Sequence, residues 1–224
     1  MTATAQEPTT RAPRIAVVDY GMGNRRSVEK ALEHVGASAV VTHDHAELRA
    51  ADGLVVPGVG AFARAMANLR DRGLDEMIAA RAAEGVPVLG ICLGMELLFD
   101  GSSERGGAAG LGLLRGSVGE LAADGYKLPH IGWNLVQWQR ESALSAGLED
   151  CALYHVHSFV ARPADPADIV GVAEYGERFA SAVARPPLYG VQFHPEKSSL
   201  NGLRIVANFA AVCAAARPQA VARA

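Results

Sequence analysis

The apolar positions of the chain fall into two rhythms. In the first half, short unbroken runs of β-forming residues alternate with longer stretches of helical period. Arg14–Tyr20, SAVVT (38–42), GLVVPGVG (53–60) and GVPVLGIC (85–92) read as strands buried on both faces, each stopped by glycine or proline or followed by a helical segment. Between them Val28, Leu32 and Val35 recur at helical spacing, and Gly36 closes that segment. Helical text runs from about 61 to 84 with a break near Gly73, and LGMELLF (93–99) begins another helix. Strands alternating with helices predict right-handed βαβ units and a parallel sheet covered on both faces. The second half reads differently. Residues 101–119 are rich in glycine and read as a loop. Short β-rich pieces follow at Val118–Leu121, Asn134–Trp138, Leu153–Val160, Ile169–Tyr175, Phe179–Ala184 and Leu188–Phe193. Their turn-like separations predict antiparallel pairing at one edge of the sheet. LNGLRIVANFAAVCAAA (200–216) is a closing helix. The pattern predicts one α/β domain over 14–215, with a mixed, largely parallel central sheet flanked by helices. Polar tails, 1–13 and 216–224, read as disordered.

Composition narrows the classes. Half of the 224 residues are hydrophobic, a fifth are charged and the formal net charge is −3. Neither a basic nucleic-acid surface nor an acidic tail is present. The most apolar window, 86–99, is shorter than the ~18 residues a membrane span needs, and Glu96 interrupts it. The polar, proline-containing start does not read as a secretory signal. Nucleic acid and membrane are therefore not expected partners. Cys92, Cys151 and Cys213 lie far apart with no CxxC pair, which suggests neither a disulfide framework nor a zinc site. A reducing cytoplasm is the natural compartment.

Three stretches could carry chemistry. Gly90-Ile91-Cys92-Leu93-Gly94 places a cysteine between glycines where a strand runs into a helix. Such spacing allows a tight turn that lifts a nucleophile out of the sheet. The free N–H groups of the helix start favour a thiolate; the alternative is a buried apolar cysteine. GVQFHPEKSS supplies a base: His194 ends a strand, and Glu196 lies close enough to receive one ring N–H and fix the tautomer. In VVPGVGAF, the Gly58-Val59-Gly60 backbone could turn an N–H toward a developing oxyanion. His43 and His45 read as a polar turn, with no third metal ligand near in sequence. A GMG after the first strand leaves a nucleotide-binding module as a further alternative, though the third glycine is lacking.

In this order the three stretches resemble the class I glutamine amidotransferases. DYGMGN, SVEKALEHVG, PGVGAF, GICLGMELLF, GLGLLRGSV, KLPHIGWN, YHVHSF and GVQFHPEKSS together are similar to the glutaminase subunits of imidazole glycerol phosphate synthases, from about residue 14 to 209. The resemblance implies a flavodoxin-like amidotransferase fold, glutamine as substrate, and no cofactor or metal. It assigns Cys92 as nucleophile, His194 as base and Glu196 as its orienter. Leu93 and the Gly58–Val59–Gly60 segment would supply oxyanion N–H groups. The backbone around Ser158 and Phe159, beside His157, would hold the amino-acid end of glutamine. Ammonia would pass to a (β/α)8-barrel cyclase subunit, which makes imidazole glycerol phosphate and an aminoimidazole carboxamide ribotide in histidine biosynthesis. Asn24, Trp133, Tyr154 and Lys197 match positions facing that partner.

The chain departs from the family pattern in three places. His155 stands where an aromatic residue is usual and reads as incidental. Arg25 replaces an apolar residue, often leucine. Glu96 replaces a glutamine, four residues after Cys92 and on the same side of the helix. A carboxylate there could attract the α-ammonium of the substrate, but it would disfavour a Cys92 thiolate. At ~6 Å and an effective dielectric of ~20, that repulsion is on the order of 2–3 kcal/mol. The expectation is slower glutamine hydrolysis or a pH optimum moved upward, with Arg25 as a conceivable counter-charge. A catalytically weak scaffold that binds the cyclase is the alternative function.

Overall fold

The computed structural model describes residues 11–216. Of the expected tails, residues 1–13 and 216–224, all but 11–13 and 216 lie outside the described residues. The first half alternates as expected: β1 (Arg14–Val18), α1 (Arg25–His34), β2 (Ser38–Thr42), α2 (His45–Ala50), β3 (Gly53–Gly58), α3 (Phe62–Arg70), α4 (Leu74–Ala83), β4 (Val88–Cys92) and α5 (Leu93–Leu97). Local chemistry sets the boundaries. Asp44 caps α2 by accepting from the N–H groups of Ala46 and Glu47. Gly73, at φ 62°, separates α3 from α4. β1 ends at Val18, short of the expected Tyr20, because Asp19 turns the chain and accepts from Gly21 N–H at 2.9 Å.

The second half is β-rich: β5 (Gly101–Ser102), β6 (Ala108–Ala109), β7 (Gly116–Glu120), β8 (His130–Trp138), β9 (Cys151–His157), β10 (Phe159–Pro163), β11 (Ile169–Tyr175), β12 (Glu177–Arg185) and β13 (Leu188–Val191), closed by α6 (Ser199–Ala215). A nine-stranded sheet runs β2-β1-β3-β4-β13-β12-β11-β8-β9. Its first five strands are parallel and the rest antiparallel. Alternate residues feed two cores. Ile15, Val17 and Ile91 pack with Leu32 of α1 and Phe209 of α6. Ala16, Val18 and Val56 pack with Met66 of α3 and Ile78 of α4.

Two expectations need correction. Residues 101–119 are not simply a loop: β5, β6 and β7 join β10 in a second, four-stranded sheet ordered β10-β7-β5-β6. Two-residue strands carry no readable period, and their partners are distant in sequence. The expected strand Leu153–Val160 breaks at Ser158, where the chain leaves the large sheet as β9 and enters the small one as β10.

Candidate active site

The sheet register brings three segments to one edge. β13 lies beside β4 with Val191 opposite Ile91, and β3 lies on the other side with Gly58 opposite Cys92. Gly58–Gly60, Cys92 and the residues after Val191 therefore leave the sheet at the carboxyl ends of neighbouring strands, where open α/β sheets bind ligands. Cys92 has φ 54° and ψ −114°, a conformation that costs a non-glycine residue about 1–3 kcal/mol. Its flanking glycines are sterically required. A Cβ at Gly94 would overlap the Val56 carbonyl, and one at Gly90 would collide with the Gly94 carbonyl. The buried Tyr20 hydroxyl donates to the Pro57 carbonyl at 2.5 Å and ties the end of β1 to this edge. The GMG turn packs there too: a Cβ at Gly23 would press on the Pro57–Gly58 backbone. That packing accounts for Gly23, whereas Gly21 is set by its φ of 85°.

Cys92 opens onto a cavity of about 230 Å³. Val59, Gly60, Leu93, Glu96, His157, Ser158 and Phe159 line it with Cys92, which unites nearly all the residues expected to touch glutamine. Gly58 stays at the end of β3, behind this wall. Glu104, Pro129 and Val156 also line the cavity and were not anticipated. Glu104 sits in a short 3-10 turn and accepts from the Phe62 N–H at 2.8 Å. No motif marks it.

The electrostatics differ from the simple expectation at a helix start. The Cys92 thiol donates to the Val156 carbonyl at 3.6 Å. Burial first, and then Glu96, push it far above the usual thiol range; the Leu93 N–H pulls the other way but is outweighed. α5 is only five residues long. Gln192 lies 4.0 Å from the Cys92 sulfur and donates to Glu96 Oε1 at 2.9 Å. Glu96 itself is pushed up to about 8 by burial, with Glu104 adding to the rise and the Gln192 hydrogen bond opposing it. Burial thus favours the neutral acid, closer to a glutamine than its formal charge suggests. Arg25 is not its counter-ion: the guanidinium pairs with Asp19.

After β13 the chain enters the 3-10 turn Pro195–Lys197. His194 Nδ1–H donates to Glu196 Oε1 at 2.9 Å, with both side chains buried. His194 Nε2 and Glu196 Oε2 are buried with no hydrogen-bond partner. The backbone is pinned to β9. His194 N–H donates to the Tyr154 carbonyl at 2.8 Å. The Ser198 hydroxyl donates to the His194 carbonyl at 2.7 Å and accepts from the Tyr154 N–H at 2.9 Å. Ser198 and Gln192 both lie in GVQFHPEKSS, yet neither carries a role legible in the motif.

Trp133, Tyr154 and Lys197 cluster on the outer face of β8, β9 and the adjoining turn. The Trp133 and Tyr154 rings are 6.1 Å apart, and Lys197 Nζ lies 5.9 Å from the Tyr154 ring centre. Asn24 precedes α1, whose first turn it does not cap with its side chain. Among the described residues no group of three or more His, Cys, Asp or Glu is placed to hold a metal. His45 instead contacts the Arg72 carbonyl at 2.9 Å. No helix among them is long and apolar enough to cross a membrane. Larger cavities of about 690 and 610 Å³ flank Arg140–Ala143, away from Cys92 and His194.

Residues 16–213 match the family described as Glutamine amidotransferase class-I, so the chain belongs to the class I glutamine amidotransferases. It is 51% identical to the imidazole glycerol phosphate synthase subunit HisH of Moorella thermoacetica over 196 residues, 87% of this chain and 93% of that one. It is also 51% identical to the HisH subunit of Symbiobacterium thermophilum over 197 residues, 88% of this chain and 92% of that one. Within the class it falls with these HisH glutaminase subunits. Solved structures agree on the fold: a chain of PurLQS from Thermotoga maritima superposes with a TM-score of 0.70 at 22% identity, covering 88% of this chain and 97% of that one.

Proposed function

We propose that the protein hydrolyses glutamine through Cys92, His194 and Glu196 and delivers ammonia to a (β/α)8-barrel cyclase subunit in a heterodimer. That complex makes imidazole glycerol phosphate and aminoimidazole carboxamide ribotide in histidine biosynthesis. The observation that carries the reading is a thiol held in a strained turn, in a cavity shared with His157–Phe159, one strand from a histidine bound to a buried carboxylate. The chemistry balances with these groups alone. The Cys92 thiol gives its proton to His194 Nε2 as sulfur attacks the side-chain amide carbon of glutamine. The imidazolium, stabilised by Glu196, then protonates the leaving nitrogen as the C–N bond breaks. Water attacks the thioester with His194 as base, which releases glutamate and restores the thiol. Leu93 and the Gly58–Gly60 segment supply oxyanion N–H groups. Glu104 adds a carboxylate toward the ammonium end of the substrate. Burial disfavours a free Cys92 thiolate, which suits proton transfer to His194 during the attack.

The partner reading rests on the surface. On the outer face of β8, Ile131, Trp133 and Leu135 are 60%, 55% and 49% exposed. A contiguous apolar stripe of this kind marks a protein interface. The test is glutamate release by the chain with and without the cyclase, alongside cyclisation fed by free ammonia. Release with the cyclase, abolished in Cys92→Ala while ammonia-fed cyclisation persists, is the expected result. Ammonia-fed cyclisation without any glutamate release by the unaltered chain would establish the scaffold alternative instead.

A further inference from the structure

β8 has two faces of different character. Its odd positions form the exposed apolar stripe, and on the other face His130 is buried directly opposite His157 of β9. The polar contacts of that inner face allow one arrangement of hydrogens. His157 Nδ1 lies 2.9 Å from the Phe159 carbonyl oxygen, which can only accept, so Nδ1 carries the hydrogen. In the neutral ring Nε2 is then bare. His130 Nδ1 lies 2.9 Å from that bare nitrogen and must donate to it. His130 Nε2 is bare in turn and accepts from Asn134 Nδ2 at 3.3 Å. The same Asn134 nitrogen donates its second hydrogen to the Glu174 carbonyl at 2.8 Å, which fixes the amide orientation. Hydrogens thus point one way from Asn134 through His130 and His157 to Phe159.

We propose that His130 is a positioning residue for the glutamine pocket: its Nδ1–H fixes the tautomer of His157, and through it the Phe159 carbonyl in the pocket wall. The site of action is the point where the wall is least supported by a sheet, since the chain passes from β9 to β10 at Ser158. The Ser158 carbonyl accepts from Leu121 N–H at 2.9 Å and the Phe159 carbonyl from His157, so both carbonyls of the crossover are held. Burial lowers the pKa of both rings, in the direction of the neutral forms that the chain requires. A proton added to His157 Nε2 would face the His130 N–H across 2.9 Å. His130 does not line the cavity, so it acts through His157 and not on the substrate.

This proposal rests on the glutaminase reading, and its test separates the two. In the complex with the cyclase, His130→Phe keeps a stacking ring but removes both nitrogens, whereas His130→Asn keeps a donor near the Nδ1 position. His130→Phe is expected to raise the glutamine KM about tenfold, equivalent to ~1.4 kcal/mol, with kcat within about twofold and ammonia-fed cyclisation unchanged. His130→Asn is expected to recover most of that affinity. An unaltered KM in His130→Phe, or equal KM values in the two variants, would overturn the proposal. Nitrogen NMR of the unaltered chain with labelled histidine covers the case in which the variants fail to fold. A bare His157 Nε2 coupled through its hydrogen bond to His130 Nδ1 is expected, and a hydrogen on His157 Nε2 would also overturn it. No glutamine turnover by the unaltered complex would strike the glutaminase reading, while the spectrum would still decide the tautomer.

Discussion

Four histidines are buried in this end of the molecule, and their partners divide them. His194, in the turn after β13, donates to a buried carboxylate and leaves Nε2 with no partner. In the β8–β9 hairpin, His130, His155 and His157 have all six ring nitrogens engaged, with neutral groups only. Burial is nearly the same, between 0% and 6% exposure for all four. What differs is the charge state each setting supports. A carboxylate stabilises an imidazolium and suits a ring that must take a proton. Carbonyl, amide, hydroxyl and imidazole partners fix a neutral tautomer and suit a ring that must stay in place. Residue type and burial do not distinguish a proton carrier from a scaffold; the second nitrogen's partner does.

The largest break of this contrast is His194→Ala, which removes the free nitrogen. Glutamine-dependent turnover should fall about 10²–10⁴-fold, with ammonia-fed cyclisation as the control. Glu196→Gln gives His194 the neutral kind of partner found in the hairpin. A loss of roughly a hundredfold is expected, smaller than that of His194→Ala, as for orienting groups generally; equal losses would show that Glu196 does more than orient.

Glu96→Gln tests the neutral-acid reading by pH. Above pH 8 Glu96 ionises and opposes a developing thiolate, so the variant should gain about tenfold in kcat/KM near pH 9, or ~1.4 kcal/mol. Near pH 6.5 the two forms should differ less than twofold. Overlaying profiles would remove Glu96 from the electrostatics of the thiol. Stability should follow the same group. Glu96 holds its proton to about pH 8 when folded, against an ordinary value of 4.5, so stability is lost as pH rises across that window. Relative to the unaltered chain, Glu96→Gln should have a more favourable melting temperature at pH 8 than at pH 5.

The smallest effect belongs to His155→Phe. Its ring bonds to the Leu153 carbonyl and the Ser181 hydroxyl, so activity should stay within about twofold. The acid limb of stability should change. Burial holds His130, His155 and His157 below the ordinary 6.5, and His157 at about 4. The unfolded chain therefore binds more protons in this range, and stability falls as pH drops below about 6.5. Each ring contributes a slope of up to ~1.4 kcal/mol per pH unit. Urea unfolding between pH 4 and 7 should show a shallower slope in His155→Phe. An unchanged slope would mean that His155 is not the buried neutral base described above.

The candidate site was legible where it was local. Unbroken apolar runs marked β1, β3 and β4, and G-x-C-x-G and H-P-E marked Cys92, His194 and Glu196, because tight turns and adjacent partners leave short-range traces. Glu104, Gln192 and Ser198 act across long sequence separations, and nothing near them says which distant atom they meet. The hairpin histidines show the same limit. Their spacing placed His155 and His157 on one face, but the ring partner of His157 is His130, 27 residues before it. The small sheet was missed for a related reason, since β5 and β6 exist only through their partners. Glu96 reads as a charge from its letter, whereas burial raises its pKa, and the sequence does not display that burial.

The backbone of Cys92 has a consequence for descent. Its φ of 54° is one that glycine adopts readily and cysteine does not. Replacing the whole side chain by hydrogen, as in Cys92→Gly, would relieve that strain and remove the thiol in one step. On the proposed function, drift toward a more stable chain and drift toward an inert one point the same way at this position, so selection for the thiol would be needed to hold it there.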